Sequence, residues 1–115
     1  MNGGPRKATC SEPAELDMAE ACDYLSMTSP EVVSRFLGAL EETLTFLVEN
    51  PEVGKPRESQ EARMQGIRSW AVRAFSSYLV FYTVTHDGLR VVRLLHGARD
   101  LPDQVRERAD AALAG

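Results

Sequence analysis

The apolar positions of this chain change rhythm once, near residue 62. Before that point they recur at three- and four-residue intervals; after it they crowd into β-branched and aromatic runs. RKATCS, Arg6 to Ser11, reads as a short strand. Ala14, Met18, Ala21, Cys22 and Leu25 then fall on one helical stripe. Pro13 suits the first helical position, where its missing N–H would be unpaired anyway. Glu15, Asp17 and Glu20 complement the positive end of the helix dipole. Ser29-Pro30-Glu31 starts a second helix: serine caps, proline takes the first turn, glutamate faces the dipole. Its apolar face is Val33, Phe36, Leu37, Leu40, Leu44, Leu47 and Val48, and Glu31, Arg35, Glu41, Glu42 and Glu49 lie opposite. It should end near Glu49, because Asn50 precedes Pro51 and is pushed out of helical geometry. So short a link between the two helices predicts a helical hairpin.

Residues 50–62, with two prolines and a glycine, read as an extended loop. Three strands follow: Ile67 to Ala74, Tyr78 to Thr85, and Leu89 to His96. His86-Asp87-Gly88-Leu89 is a hairpin signal, since Asp-Gly readily adopts the positive φ angles of a tight turn. With Asp87 and Gly88 as the loop, Tyr82 faces Arg93, Phe81 faces Leu94 and Leu79 faces His96. One sheet face then carries Leu79, Phe81, Val92 and Leu94. The other carries Val80, Tyr82, Val84, Val91, Arg93 and Leu95. Both are substantially apolar, so one covers the helices and the other is left as an apolar-plus-arginine surface that a monomer rarely leaves unused. After Leu101-Pro102 the alanine-rich tail reads as a short helix. The predicted fold is α+β, in the order β-α-α-β-β-β, a helical hairpin packed on an antiparallel sheet.

The length of 115 residues predicts a single domain spanning 1–115, with residues 1–5 a flexible end. A 43% apolar and 26% charged composition is that of a globular chain. The longest stretch without a charge, Ala74 to His86, holds two serines and two threonines. No transmembrane helix is therefore expected, and no apolar run follows Arg6 and Lys7 to make a secretory signal. Cys10 and Cys22 match no metal or redox spacing, and a reduced, cytoplasmic chain is the simplest reading.

The net charge of −4 disfavours nonspecific nucleic-acid binding. It conceals an asymmetry. Residues 1–62 carry five Lys/Arg against twelve Asp/Glu, whereas residues 63–100 carry six Arg against Asp87 and Asp100 alone. Five of the eight aromatics also fall in this second segment: Trp70, Phe75, Tyr78, Phe81 and Tyr82. Arginines interleaved with aromatics suit a recognition surface for protein or RNA. Strands also favour aromatics for ordinary packing reasons, and composition alone does not separate the two readings.

One run carries a family likeness. Val91-Val92-Arg93-Leu94-Leu95-His96-Gly97-Ala98-Arg99-Asp100-Leu101 resembles the C-terminal signature of ParE toxins, of the RelE/ParE toxin–antitoxin superfamily. Gly66-x-Arg68-x-Trp70 and Tyr78-x-x-Phe81-Tyr82 resemble the family's central strands. Asn50-Pro51-x-x-Gly54-x-Pro56 resembles its helix-to-sheet loop. Asp17-Met18-x-Glu20-Ala21-x-x-Tyr24-Leu25 and Ser29-Pro30 resemble its first helix and second cap. The resemblance covers roughly residues 6–101. It implies a RelE/ParE-like fold and the toxin of a type II system, a bacterial cytoplasmic protein. Its implied target is DNA gyrase, and its implied partner is a ParD-like antitoxin in a hetero-oligomer. It also implies a role in plasmid stabilisation, no cofactor, and no sequence-specific DNA binding by this chain.

The alternative within the superfamily is a RelE-like, ribosome-dependent mRNA endonuclease. Such an enzyme needs a base, an acid and cations on the scissile phosphate. Arg68, Arg73, Arg93, His96 and Arg99 are the available groups. RelE-like enzymes add sheet lysines and a tail tyrosine or histidine; here residues 56–115 contain no lysine, and nothing after Asp100 is Tyr or His. That favours the non-enzymatic ParE reading, with no catalytic residue and no metal site. His96, alone at a strand end, reads as structural. Arg93 and Arg99 read as recognition groups or as bidentate anchors for the tail. The expected contact residues for target or antitoxin are Arg68, Trp70, Arg73, Tyr78, Tyr82, Arg93, His96 and Arg99.

Overall fold

The structure, a computed structural model, describes residues 7–57 and 66–98. Residues 1–5, Arg99 and the expected tail helix lie outside the described residues. The elements are β1 (Lys7–Cys10), α1 (Glu12–Ser26), α2 (Pro30–Glu49), β2 (Lys55–Pro56), β3 (Ile67–Val72), β4 (Phe75–Thr85) and β5 (Gly88–His96). They build one five-stranded mixed sheet in the order β1-β5-β4-β3-β2, with the two helices packed on it.

Both helices begin where side-chain chemistry starts them. Ser11, not Pro13, marks the entry to α1: its hydroxyl accepts the Ala14 N–H at 3.1 Å and donates to the Val92 carbonyl at 2.9 Å. Ser29 caps α2 by accepting the Val32 N–H at 3.2 Å. The buried stripe of α2 is Phe36, Leu40, Thr43 and Leu47. With Ala14 and Ala21 of α1 it meets Val72, Tyr78, Val80, Tyr82, Leu89, Val91 and Leu94 of the sheet. Burying a leucine or phenylalanine side chain there contributes about 1.5–3 kcal/mol. Met18, Cys22, Leu25 and Leu44 border this core and are partly buried.

Three features depart from the sequence reading. First, the sheet is not a simple antiparallel meander. β1 joins it parallel to β5, and the 50–57 loop contributes β2, paired antiparallel with β3. β2 is only two residues long and one of them is Pro56, so it carries no strand periodicity. Second, the β4–β5 turn is His86-Asp87, with Thr85 paired to Gly88. The Thr85 hydroxyl donates to the Asp87 carboxylate at 3.1 Å across it. Gly88 is used for space: a Cβ there would collide with the Lys7 backbone of β1. Third, a bulge separates Phe81 from Tyr82 in the β4–β5 register, leaving Val92 as the extra residue on β5. Tyr82 therefore faces Val91, Phe81 faces Arg93, Val80 faces Leu94, and Leu79 faces Leu95. The bulge reverses the faces beyond it. Leu94 joins Val80 in the core, and Arg93 moves to the side of Phe81, not that of Tyr82 as the sequence pattern had it.

Candidate functional site

The 51–57 loop is held on the sheet by three side chains. Tyr82 is fully buried; its hydroxyl donates to the Pro51 carbonyl at 2.8 Å and accepts the Gly54 N–H at 2.9 Å. Burial raises the phenol above its ordinary value, against the opposing effects of the Gly54 N–H and the Arg68 charge. Arg68 donates from one nitrogen to the carbonyls of Glu52, at 2.9 Å, and Gly54, at 2.8 Å. Arg57 donates to the Ser69 hydroxyl at 2.6 Å, and its guanidinium carbon lies 5.6 Å from the centroid of the Phe81 ring. Burial lowers that guanidinium from its ordinary value.

A second constellation closes the edge of β5. β1 ends at Cys10, so among the described residues no strand lies beside β5 beyond Val91 on that side. The Asp17 carboxylate of α1 takes that place. It accepts the Leu94 N–H at 3.0 Å and forms a two-pronged ion pair with Arg93, at 2.7 and 3.1 Å. The Asp17 side chain is 14% exposed and that of Arg93 50%. The Arg93 guanidinium forks onto Asp17 of α1; the tail, its expected partner, lies outside the described residues.

The remaining expected contact residues are scattered. Trp70 is half-buried and stacks on Phe46 of α2, ring centroids 5.7 Å apart, with Phe46 itself exposed. Arg73 is exposed in the β3–β4 turn, where its N–H donates to the Thr43 hydroxyl at 3.1 Å. Ala74, next to it, adopts a left-handed φ of 65°. His96 accepts the Ala98 N–H on Nδ1 at 3.3 Å and meets Tyr78 edge-on, centroids 5.0 Å apart. Tyr78 is 4% exposed and also lies against Phe36, centroids 5.0 Å apart. Tyr78 and Tyr82 are thus core residues and present no contact surface, a correction to their expected role. Strand alternation left open which sheet face the helices cover; α2 and the 51–57 loop cover that of Tyr82. Arg99 lies outside the described residues.

Several partners carried no sequence signal as such. Asp17 read as a dipole complement and as part of the first-helix motif, with no partner indicated, and Phe46 was simply a position within α2. Arg57 belonged to an irregular loop. Each acts across more than ten residues of sequence, where periodicity says nothing.

Both cysteines are free, and burial raises each thiol above its ordinary value, aided by the Glu15 charge at Cys10 and the Asp23 charge at Cys22. They are poor nucleophiles at neutral pH. Among the described residues no group of three His, Cys, Asp or Glu side chains could hold a metal ion. No described helix is long and apolar enough to cross a membrane.

A helical hairpin on a mixed sheet in this strand order is the RelE/ParE-like α+β fold. A solved structure of the chromosomal ParDE TA system from P. aeruginosa shares it, with a TM-score of 0.62 and 18% identity, over 79% of this chain and 95% of that one. The model of the family described as the ParE toxin of the type II toxin–antitoxin system parDE matches residues 9–101, and the chain belongs to that family. No curated protein matches it in sequence.

Proposed function

We propose that this chain is the growth-inhibiting toxin of a ParDE-type pair in the bacterial cytoplasm. It acts by binding a protein target, DNA gyrase, without cleaving RNA, and a ParD-like antitoxin holds it inactive. One observation supports the non-enzymatic reading within the family: three of the five polar groups an RNase would use already have partners within the chain. Arg93 is forked onto Asp17, Arg68 onto two loop carbonyls, and the His96 Nδ1 onto the Ala98 N–H. A general base must reach its proton, and a phosphate-binding cation must present its donors outward. Exposed Arg73, and half-buried Trp70 with exposed Phe46 beside it, are the proposed target contacts. Arg68, Arg93 and His96 shape the surface around them, and Arg99 extends the set beyond the described residues.

The test is induction in a bacterial host with DNA damage and translation followed together. Rapid DNA damage with translation initially intact supports this reading. Immediate translational arrest with cleaved mRNA would favour the endonuclease.

A further inference from the structure

The β3–β4 turn is fastened to α2 by one buried side chain. The Thr43 hydroxyl donates to the Ala39 carbonyl at 2.7 Å and accepts the Arg73 N–H at 3.1 Å. Ala74 follows in a left-handed conformation, with a φ of 65°, that a residue carrying a Cβ adopts only at a cost. Between this turn and α2 lies a cavity of about 520 Å³. Gly38, Ala39 and Ala74 line it with small side chains, and a Cβ built on Gly38 would meet nothing within 4 Å. Its charged groups are Arg35, Arg73 and Glu42. Both arginines are exposed, and among the described residues no ion pair engages either guanidinium. Arg57, Arg68 and Arg93, by contrast, are bonded within the chain. A second hollow, bordered by Glu42, Thr45, Phe46, Glu49 and Arg73, continues the cavity along α2. There the exposed Phe46 ring stacks on Trp70. One side of α2 and its neighbouring turn thus presents, in order, a two-arginine cleft, an aromatic pair and Glu49. From residue 35 to residue 49 this spans about 21 Å of helix.

Two guanidiniums against one carboxylate leave the cleft positive, and guanidinium donors suit a carboxylate better than any neutral group. A nucleic-acid backbone does not fit, because Glu41, Glu42 and Glu49 lie along the same side of α2 and repel a row of phosphates. Arginine beside paired aromatics is the composition of a protein-binding hot spot. We propose that this side of α2 receives a segment of the protein target bearing an acidic, an apolar and a basic side chain in that order. The Asp or Glu enters the cleft between Arg35 and Arg73, over Gly38. The apolar or aromatic side chain covers Phe46 and Trp70. The Lys or Arg lies over Glu49. Thr43 and the strained turn hold Arg73 in place before the partner arrives, which lowers the ordering cost of binding. This placement deepens the target-contact reading above and rests on it.

The test is inhibition of gyrase supercoiling by the full chain and by four charge variants with unchanged thermal unfolding, each also titrated with the antitoxin encoded beside it. Arg35→Glu and Arg73→Glu should each raise the inhibitory concentration roughly tenfold or more. Arg90→Glu, at an exposed position of β5, should leave it within about twofold. Glu42→Gln, which removes the opposing carboxylate, should lower it. Inhibition by the wild-type chain that neither arginine variant weakens overturns the cleft and leaves the toxin reading intact. Weakening by Glu42→Gln as large as that by Arg73→Glu would mean that the cleft takes a cation, and overturns the assignment to an acidic side chain. Arginine variants that still inhibit gyrase but escape the antitoxin would give the cleft to the antitoxin and overturn the target assignment. A wild-type chain without effect on gyrase overturns both readings.

Discussion

The Gly54 amide and the Tyr82 hydroxyl are 2.9 Å apart, and a Cβ on Gly54 would fall inside the Tyr82 ring's van der Waals radius. The loop can therefore approach the sheet only if residue 54 has no side chain. Tyr82 answers that approach with one acceptor for Gly54 and one donor for Pro51.

Tyr82→Phe leaves a buried N–H and a carbonyl without their partner and should cost roughly 1–3 kcal/mol in urea unfolding. Gly54→Ala forces the phenol or the loop to move, for a cost of about 1–3 kcal/mol. A loss below about 0.5 kcal/mol for both would show that the loop is not anchored here.

The raised phenol value gives a pH signature. Because the folded-state value lies above the unfolded one, the contribution of Tyr82 to stability is fully present below the unfolded value, about 10. It is lost as pH rises through the folded value. Alkaline unfolding should be less steep in Tyr82→Phe than in the wild-type chain, when both are followed from pH 8 to 11.5.

Asp17 should matter more than the arginine it holds. Asp17→Ala unpairs the Leu94 N–H and takes the carboxylate from the Arg93 guanidinium, and should cost about 1–3 kcal/mol. Arg93→Ala removes a half-exposed partner and should cost about 0–1 kcal/mol. Equal losses in the two variants would mean that the ion pair, and not the capped edge of β5, is the stabilising element.

Much of this architecture was legible in the chain. Ser29-Pro30, the α2 stripe around Leu40 and the three aromatic-rich strands are local signals, and local signals survive folding. What escaped was non-local. The two-residue β2 has no pattern to detect. The bulge at Val92 shifts register without any glycine or proline to mark it, and that one residue moved Arg93 away from the face of Tyr82. Gly88 read as a turn residue because Asp-Gly is the commonest turn signal, whereas its use depends on Lys7, eighty-one positions earlier. The expected contact set failed where it relied on exposure: whether Tyr78 or Tyr82 is buried depends on which sheet face α2 covers.

The core assignment is tested by Leu40, which is 5% exposed, and Leu44, which is half-buried. Leu40→Ala should cost about 2–5 kcal/mol and Leu44→Ala distinctly less. Reversal of that order would place the hairpin in a different rotation on the sheet.

The proposed mode of action is inhibition by contact and not by chemistry. The direct measurement uses the purified chain and its His96→Ala variant, checked for equal folding, in two assays: gyrase supercoiling, and ribosome-dependent cleavage of mRNA. Both proteins should inhibit supercoiling with concentration dependences within about twofold of each other, and neither should cleave mRNA. Cleavage by the wild-type chain that disappears in a folded His96→Ala protein would contradict the account and make His96 a catalytic residue.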